Sequence, residues 1–110
     1  MRILLDECLL ARLRRDLSGR EVHTVPHMGW AGVENGRLLR LISACSQFDV
    51  FLTIDKNLPQ QQRIKDLPFA VVVLRAKSNR FEDTHPLMPE VFRRLPEFQP
   101  GHIYVLARPD

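Results

Sequence analysis

Phe48-Asp-Val-Phe-Leu-Thr-Ile54-Asp55-Lys-Asn57, near the middle of the chain, decides how the rest is read. From Phe48 to Ile54 the run is almost continuously apolar. A strand covered on both faces has this composition and belongs at the centre of a parallel sheet. The run ends in Asp55, a carboxylate delivered to the rim where open α/β sheets bind their ligands. The N-terminus repeats the pattern, since Arg2-Ile-Leu-Leu-Asp6 is a second short apolar run stopped by an aspartate, with Glu7 directly after it. Two such strands side by side place Asp6 and Asp55 about 5 Å apart, the spacing between neighbouring strands. Carboxylates that close repel each other unless a cation or a shared proton neutralises them. The pair therefore asks for a hard divalent ion, Mg²⁺ or Mn²⁺.

Working outward, the elements alternate. The first strand covers residues 2–6, and Leu9, Leu10, Leu13 and Leu17 repeat at helical spacing until Ser18-Gly19. Glu21–Val25 alternates polar and apolar, a second strand stopped by Pro26. Pro26 to Glu34 holds Trp30 among turn residues and reads as a shaped loop. Asn35-Gly36 caps a helix whose Leu38, Leu39, Leu41, Ile42 and Cys45 face inward. A small helix over 58–64, a fourth strand over 68–74, a helix over 86–98 and a fifth strand over 102–107 complete the chain, with a frayed end at 108–110. The expected fold is a Rossmann-like α/β three-layer sandwich with a mostly parallel, about five-stranded sheet. One domain spans residues 1–110, since no internal repeat appears.

Composition sets limits. Hydrophobic content of 45% and charged content of 26% are those of an ordinary globular chain. No apolar stretch approaches the ~20 residues that span a bilayer, and the acidic pair near the start is unlike a signal peptide, so the expected location is the cytoplasm, with no membrane partner. Cys8 and Cys45 are read as reduced core residues, not a disulfide framework. A net charge of +3 favours an acidic partner such as nucleic acid. His23, His27, His85 and His102 lack metal-type spacing.

Asp6 and Asp55 form the expected metal site, each having helix capping as its alternative use. Glu7 points away from Asp6 along the strand and serves as a water-mediated ligand or a solvated first-turn acid. Glu34 and Asn35 open the second helix over the same rim, Asn35 as neutral oxygen ligand or cap. Thr53 shares the side of Asp55 and either touches the site or bonds backbone. Lys56, Asn57, Gln61 and Gln62 lie where a phosphate backbone approaches, or line a solvated helix face. Trp30 is read as exposed, able to stack on a base, or else as the anchor of its loop.

The chain resembles the compact PIN-like domain proteins, relatives of the VapC-type toxin nucleases, in a small bacterial branch classed as a domain of unknown function. The matching residues are Leu4-Leu-Asp6-Glu7, then Gly29-Trp-Ala-Gly with Asn35-Gly36-Arg-Leu-Leu39, then Asp49-Val-Phe-Leu-Thr53-Ile-Asp55-Lys-Asn57-Leu with Gln61-Gln62. The likeness continues through Ala70–Leu74 and Ser78-Asn79-Arg80. The resemblance implies a rim of acidic residues that binds Mg²⁺ or Mn²⁺ and hydrolyses RNA phosphodiesters. It also implies a cognate antitoxin partner and a homodimer. Asp6, Asp55 and Glu34 or Asn35 then carry catalysis, with Lys56 or Arg80 offsetting phosphate charge.

One departure qualifies the match. Active PIN domains carry three or four carboxylates, and the middle one falls where this chain has Glu34-Asn35. A neutral Asn35 in that place favours a second reading, a PIN-like module that grips RNA or an antitoxin without cutting. A third reading, a receiver-like phosphoacceptor domain, rests on the acidic pair after the first strand, Asp55 after the third and Arg108-Pro109 after the fifth.

Overall fold

The ladder that fixes the architecture runs outward from β1 (Arg2–Leu5), which pairs in parallel with β2 (Glu21–Thr24) on one side and β3 (Val50–Thr53) on the other. β4 (Ala70–Arg75) and β5 (Ile103–Ala107) continue the sheet in the order β2-β1-β3-β4-β5, every described pair parallel. These relationships come from a computed structural model that describes residues 1–108, the side chain of Gln61 excepted. Pro109 and Asp110 of the expected frayed end lie outside the described residues.

The period-2 alternation of the strands divides the core into two layers. Ile3, Leu5, Val50, Leu52, Val72 and Leu74 pack on one side against Leu13, Leu17, Leu87, Met88, Val91 and Leu95. Leu4, Phe51, Val71 and Val73 pack on the other against Leu38, Leu39, Ile42 and Leu58. The second layer is supplied by α1 (Asn35–Cys45) and by α2 (Leu58–Gln61), a single turn in the β3–β4 crossover. The result is the expected α/β three-layer sandwich, and β1 and β3 lie inside the sheet because both their faces are apolar.

Three local expectations are corrected. Ala11–Leu17 is a 3₁₀ helix with Leu10 at its N-cap, where no side chain accepts the free backbone N–H groups. The cap of α1 is Glu34, whose carboxylate accepts from Arg37 N at 3.1 Å, so Asn35 is the first helical residue and not the cap. The helix expected over 86–98 begins earlier and is segmented into α3 (Phe81–Thr84), a 3₁₀ turn (His85–Leu87), α4 (Met88–Arg94) and a second 3₁₀ turn (Leu95–Glu97). Pro86, Pro89 and Pro96 each sit in the first turn of a segment, where a missing N–H is tolerated but an unbroken α-helix is not continued. Its early start is organised by Ser78, which accepts from Arg80 N and donates to Asp83 Oδ2 at 2.5 Å.

Cys8 and Cys45 are free thiols, as expected. Among the described residues no helix is long and apolar enough to cross a membrane.

Candidate functional site at the β1–β3 switch point

In a sheet ordered β2-β1-β3-β4-β5, the chain leaves β1 in one direction to form β2 and returns to β1's other side to form β3. The crevice outside the carboxyl ends of β1 and β3 is therefore the topological switch point, where doubly wound sheets bind ligands. Asp6 and Asp55 follow these two strands. Their relative height corrects the simple side-by-side expectation. Leu5 is level with Leu52, and Asp6 N donates to Leu52 O, so the residue abreast of Asp6 is Thr53, with Asp55 two positions further along.

Thr53 joins the Asp6 carboxylate to the Asp55 backbone across that offset. Its buried hydroxyl donates to Asp6 Oδ2 at 2.6 Å and accepts from Asp55 N at 3.0 Å. Asp6 Oδ1 accepts from Glu7 N at 2.8 Å. Asp55 Oδ1 accepts from Asn57 N, closing a local turn, and Asp55 Oδ2 accepts from Asn35 Nδ2 at 3.0 Å. Among the described residues each of the four oxygens thus receives one of these hydrogen bonds and retains a lone pair for another partner.

Asp6 is only 7% exposed and has no ion pair among the described residues. Burial pushes its carboxyl above the ordinary aspartate value, against the opposing pull of the hydrogen bonds from Thr53 and Glu7. Cys8, half-buried, brings its Sγ to 3.8 Å from Thr53 Oγ1, and burial likewise raises its thiol, which stays protonated at neutral pH. Among the described residues no three His, Cys, Asp or Glu side chains gather closely enough to hold an ion unaided.

The remaining candidates divide. Glu7 turns to the 26–34 loop, where both its oxygens accept from Gly32 N at 3.1 Å. Gly32 has φ +79°, a conformation that favours glycine. Glu34 is occupied as the α1 cap, with the Gln62 amide beside it across Gly36. Trp30 is partly buried and packs on the α1 layer, as an anchor of its loop does, and not as an exposed ring. Lys56 and Asn57 are exposed beyond Asp55. Gln61 ends α2, and the substrate role read for it falls on a side chain outside the described residues. Arg80 is exposed at the start of α3, beside Glu82 Oε1 at 3.4 Å. Arg108 is exposed after β5, and Pro109 lies outside the described residues.

Sequence reasoning missed Arg75, which ends β4 at this same rim and is exposed. Its signal was the one used for Asp6 and Asp55, a polar residue closing an apolar strand.

The arrangement defines a small α/β domain with a five-stranded parallel sheet and an acidic, hydrogen-bonded notch at its switch point. No family model, curated protein or solved structure matches the chain.

Proposed function

We propose that the chain is a PIN-like, Mg²⁺- or Mn²⁺-dependent endoribonuclease, the toxin of a toxin–antitoxin pair. The observation that carries this reading is Asp6 and Asp55 bridged by Thr53 at the switch point. The donor set suits a hard ion. A buried carboxylate without a cationic partner has its charged form disfavoured, and a divalent ion supplies the missing charge. Asp6 and Asp55 would hold it. Two carboxylates are enough for Mg²⁺, which keeps several waters and takes further oxygens from substrate phosphates. When bound, the ion polarises a phosphoryl oxygen and lowers the pKa of a water.

The chain's own residues do the positioning. Thr53 aims Asp6 and fixes the backbone of Asp55, Asn35 orients the Asp55 carboxylate, and exposed Lys56 offsets phosphate charge beside it. The Glu7–Gly32 contact holds the Trp30 loop against the same rim.

A second reading, an RNA- or antitoxin-binding module that does not cut, is favoured by one contact. A third carboxylate at position 35 would repel Asp55, whereas the Asn35 amide donates to it. Incubating a mixed, end-labelled RNA pool with the purified protein in Mg²⁺, Mn²⁺ or EDTA, beside the Asp6→Ala, Asp55→Ala variant, separates the two. Metal-dependent cutting lost in the variant supports the nuclease. A folded protein that cuts under no condition but retains RNA removes hydrolysis and leaves the module.

A further inference from the structure

The ladder carries the notch sideways across the sheet. Thr53 is level with Val73, and Val73 with Val105. Partners level in a parallel ladder project to the same face, so Asp6, Thr53, Val73 and Val105 form one row on the α1–α2 side. At the far end of that row lies a cavity of about 280 Å³ lined by Lys56, Pro59, Gln60, Val73, Arg75 and Val105.

The cavity exists because the β3–β4 crossover is too short to cover β5. α2 is one turn, and no β5 residue joins the apolar layer on its side. Val105 is consequently 51% exposed and Ile103 39%, while Leu106, on the opposite face of β5, is buried. The floor is therefore apolar and open. Lys56 and Arg75 stand at its rim, both exposed and neither ion-paired among the described residues. Lys56 follows Asp55 directly in the chain.

We propose that this cavity is a nucleotide subsite for single-stranded RNA, lying about two strand spacings, roughly 10 Å, from Thr53 along the row. Lys56 and Arg75 hold a backbone phosphate, Gln60 supplies an amide to sugar or base, and Pro59, Val73 and Val105 receive the apolar faces of the nucleoside. Two free cations beside an apolar floor complement an anion with a flat organic body. A guanidinium is suited to bidentate phosphate contact, and a lysine to a point charge. The subsite rests on the nuclease reading for its role, which is to set the register of the strand over the Asp6–Asp55 notch, but its binding is measurable without hydrolysis.

Fluorescence anisotropy of a labelled oligouridylate of about ten nucleotides, in EDTA, tests it against the full chain. Losing two phosphate contacts from a single strand flattens the log–log salt dependence by about 1.4. The Lys56→Ala, Arg75→Ala variant should bind about ten-fold more weakly with that shallower slope. The Lys56→Arg, Arg75→Lys variant should keep binding, Val105→Asp should weaken it, and Arg40→Ala, on a different groove beside α1, should leave it unchanged. Unchanged binding by the double alanine variant, verified as folded by circular dichroism, overturns the subsite. So does uridine monophosphate competing as well as the oligomer, which marks a small-molecule site. So does a Val105→Asp effect on sedimentation alone, which marks a contact between copies. RNA-pool cleavage separates this proposal from the nuclease reading. Equal cutting and equal KM in wild type and an Arg75→Ala single variant remove the subsite alone, while binding lost in the double variant of a protein that cuts nothing removes hydrolysis alone.

Discussion

Thr53 Oγ1 donates to Asp6 Oδ2 at 2.6 Å and in the same position accepts the backbone N–H of Asp55, so one hydroxyl ties the carboxylate of Asp6 to the backbone of Asp55. Neither bond is replaceable by solvent, because Thr53 is fully buried. Thr53→Val keeps the shape and removes the hydroxyl, leaving a buried acceptor and a backbone donor short of a partner. The expected loss is about 1–3 kcal/mol in urea denaturation at neutral pH. Thr53→Ser, which retains the hydroxyl, should recover most of it. Equal stability of the valine variant would mean the Asp6 carboxylate is not held as described.

Asp6 itself makes folding pH-dependent. Its folded-state pKa lies above the unfolded one, with burial the main cause, so the native state holds the extra proton. Its contribution is full below the unfolded value and is lost as pH rises through the folded value. Asp6→Asn keeps an acceptor for Glu7 N, and the Thr53 hydroxyl can turn to accept from the new amide. The asparagine variant is therefore expected to be more stable than wild type above that window, by about 1 kcal/mol, the low end of the cost of burying an under-paired polar group. Below the window the difference should vanish. Urea denaturation of both proteins across the acid to neutral range checks the sign.

A divalent ion should reverse that order. An ion that binds only the folded chain stabilises it by about 2.7 kcal/mol at one hundred times its Kd. Mn²⁺ should raise the melting temperature of wild type and leave the Asp6→Asn, Asp55→Asn variant unmoved, as scanning calorimetry would show. A shift of the same size in both would place the ion elsewhere.

The sequence revealed much of this, and the gaps have physical reasons. β1, β3 and β4 are legible because strands covered on both faces must be apolar throughout, β5 because its run from Ile103 to Ala107 stays apolar even at the sheet edge, and Asp6 and Asp55 because each closes an apolar run. The two-residue offset between them is not, because register belongs to the ladder between strands and to neither strand alone. Arg75 is not legible, because the apolar run of its strand stops at Leu74 and a following arginine looks like any surface cation, whereas the ladder carries β4 on to Arg75 at the rim. The start of α3 at Phe81 was hidden because its organising contact, Ser78 to Asp83, is a polar side-chain pair that leaves no apolar period. Asn35 and Glu34 exchanged roles for a similar reason. Capping depends on which side chain meets a free N–H, and either residue type suits the position from sequence.

Gly101 and Gly19 test the backbone directly, since both have positive φ, +79° and +80°. A Cβ at Gly19 meets nothing within 4 Å, so Gly19→Ala should cost only the left-handed strain, about 1–2 kcal/mol. A Cβ at Gly101 would stand 2.5 Å from Lys65 O, a backbone atom that cannot swing aside. Gly101 N also donates to Phe69 O, tying the entry of β5 to the start of β4. Gly101→Ala should therefore cost clearly more than Gly19→Ala in denaturant unfolding, with the difference reporting the clash alone.

Asn35→Asp bears most directly on whether the notch cuts. It replaces an amide that donates to Asp55 Oδ2 at 3.0 Å with a carboxylate that can only repel it. Without metal, the variant should lose about 1–3 kcal/mol, the cost of breaking a hydrogen bond to a charged acceptor and leaving that acceptor unpaired. Much of this loss should disappear at acid pH, where the added carboxyl takes a proton and donates again. With Mn²⁺ present the third carboxylate becomes a ligand, and affinity measured by calorimetric titration should rise about ten-fold or more, since each added anionic oxygen donor tightens a hard-ion site. Faster RNA cleavage by Asn35→Asp than by wild type would mark the native site as a nuclease weakened at one position. Tighter metal binding with no cleavage would mean that the rim grips its nucleic acid without hydrolysing it.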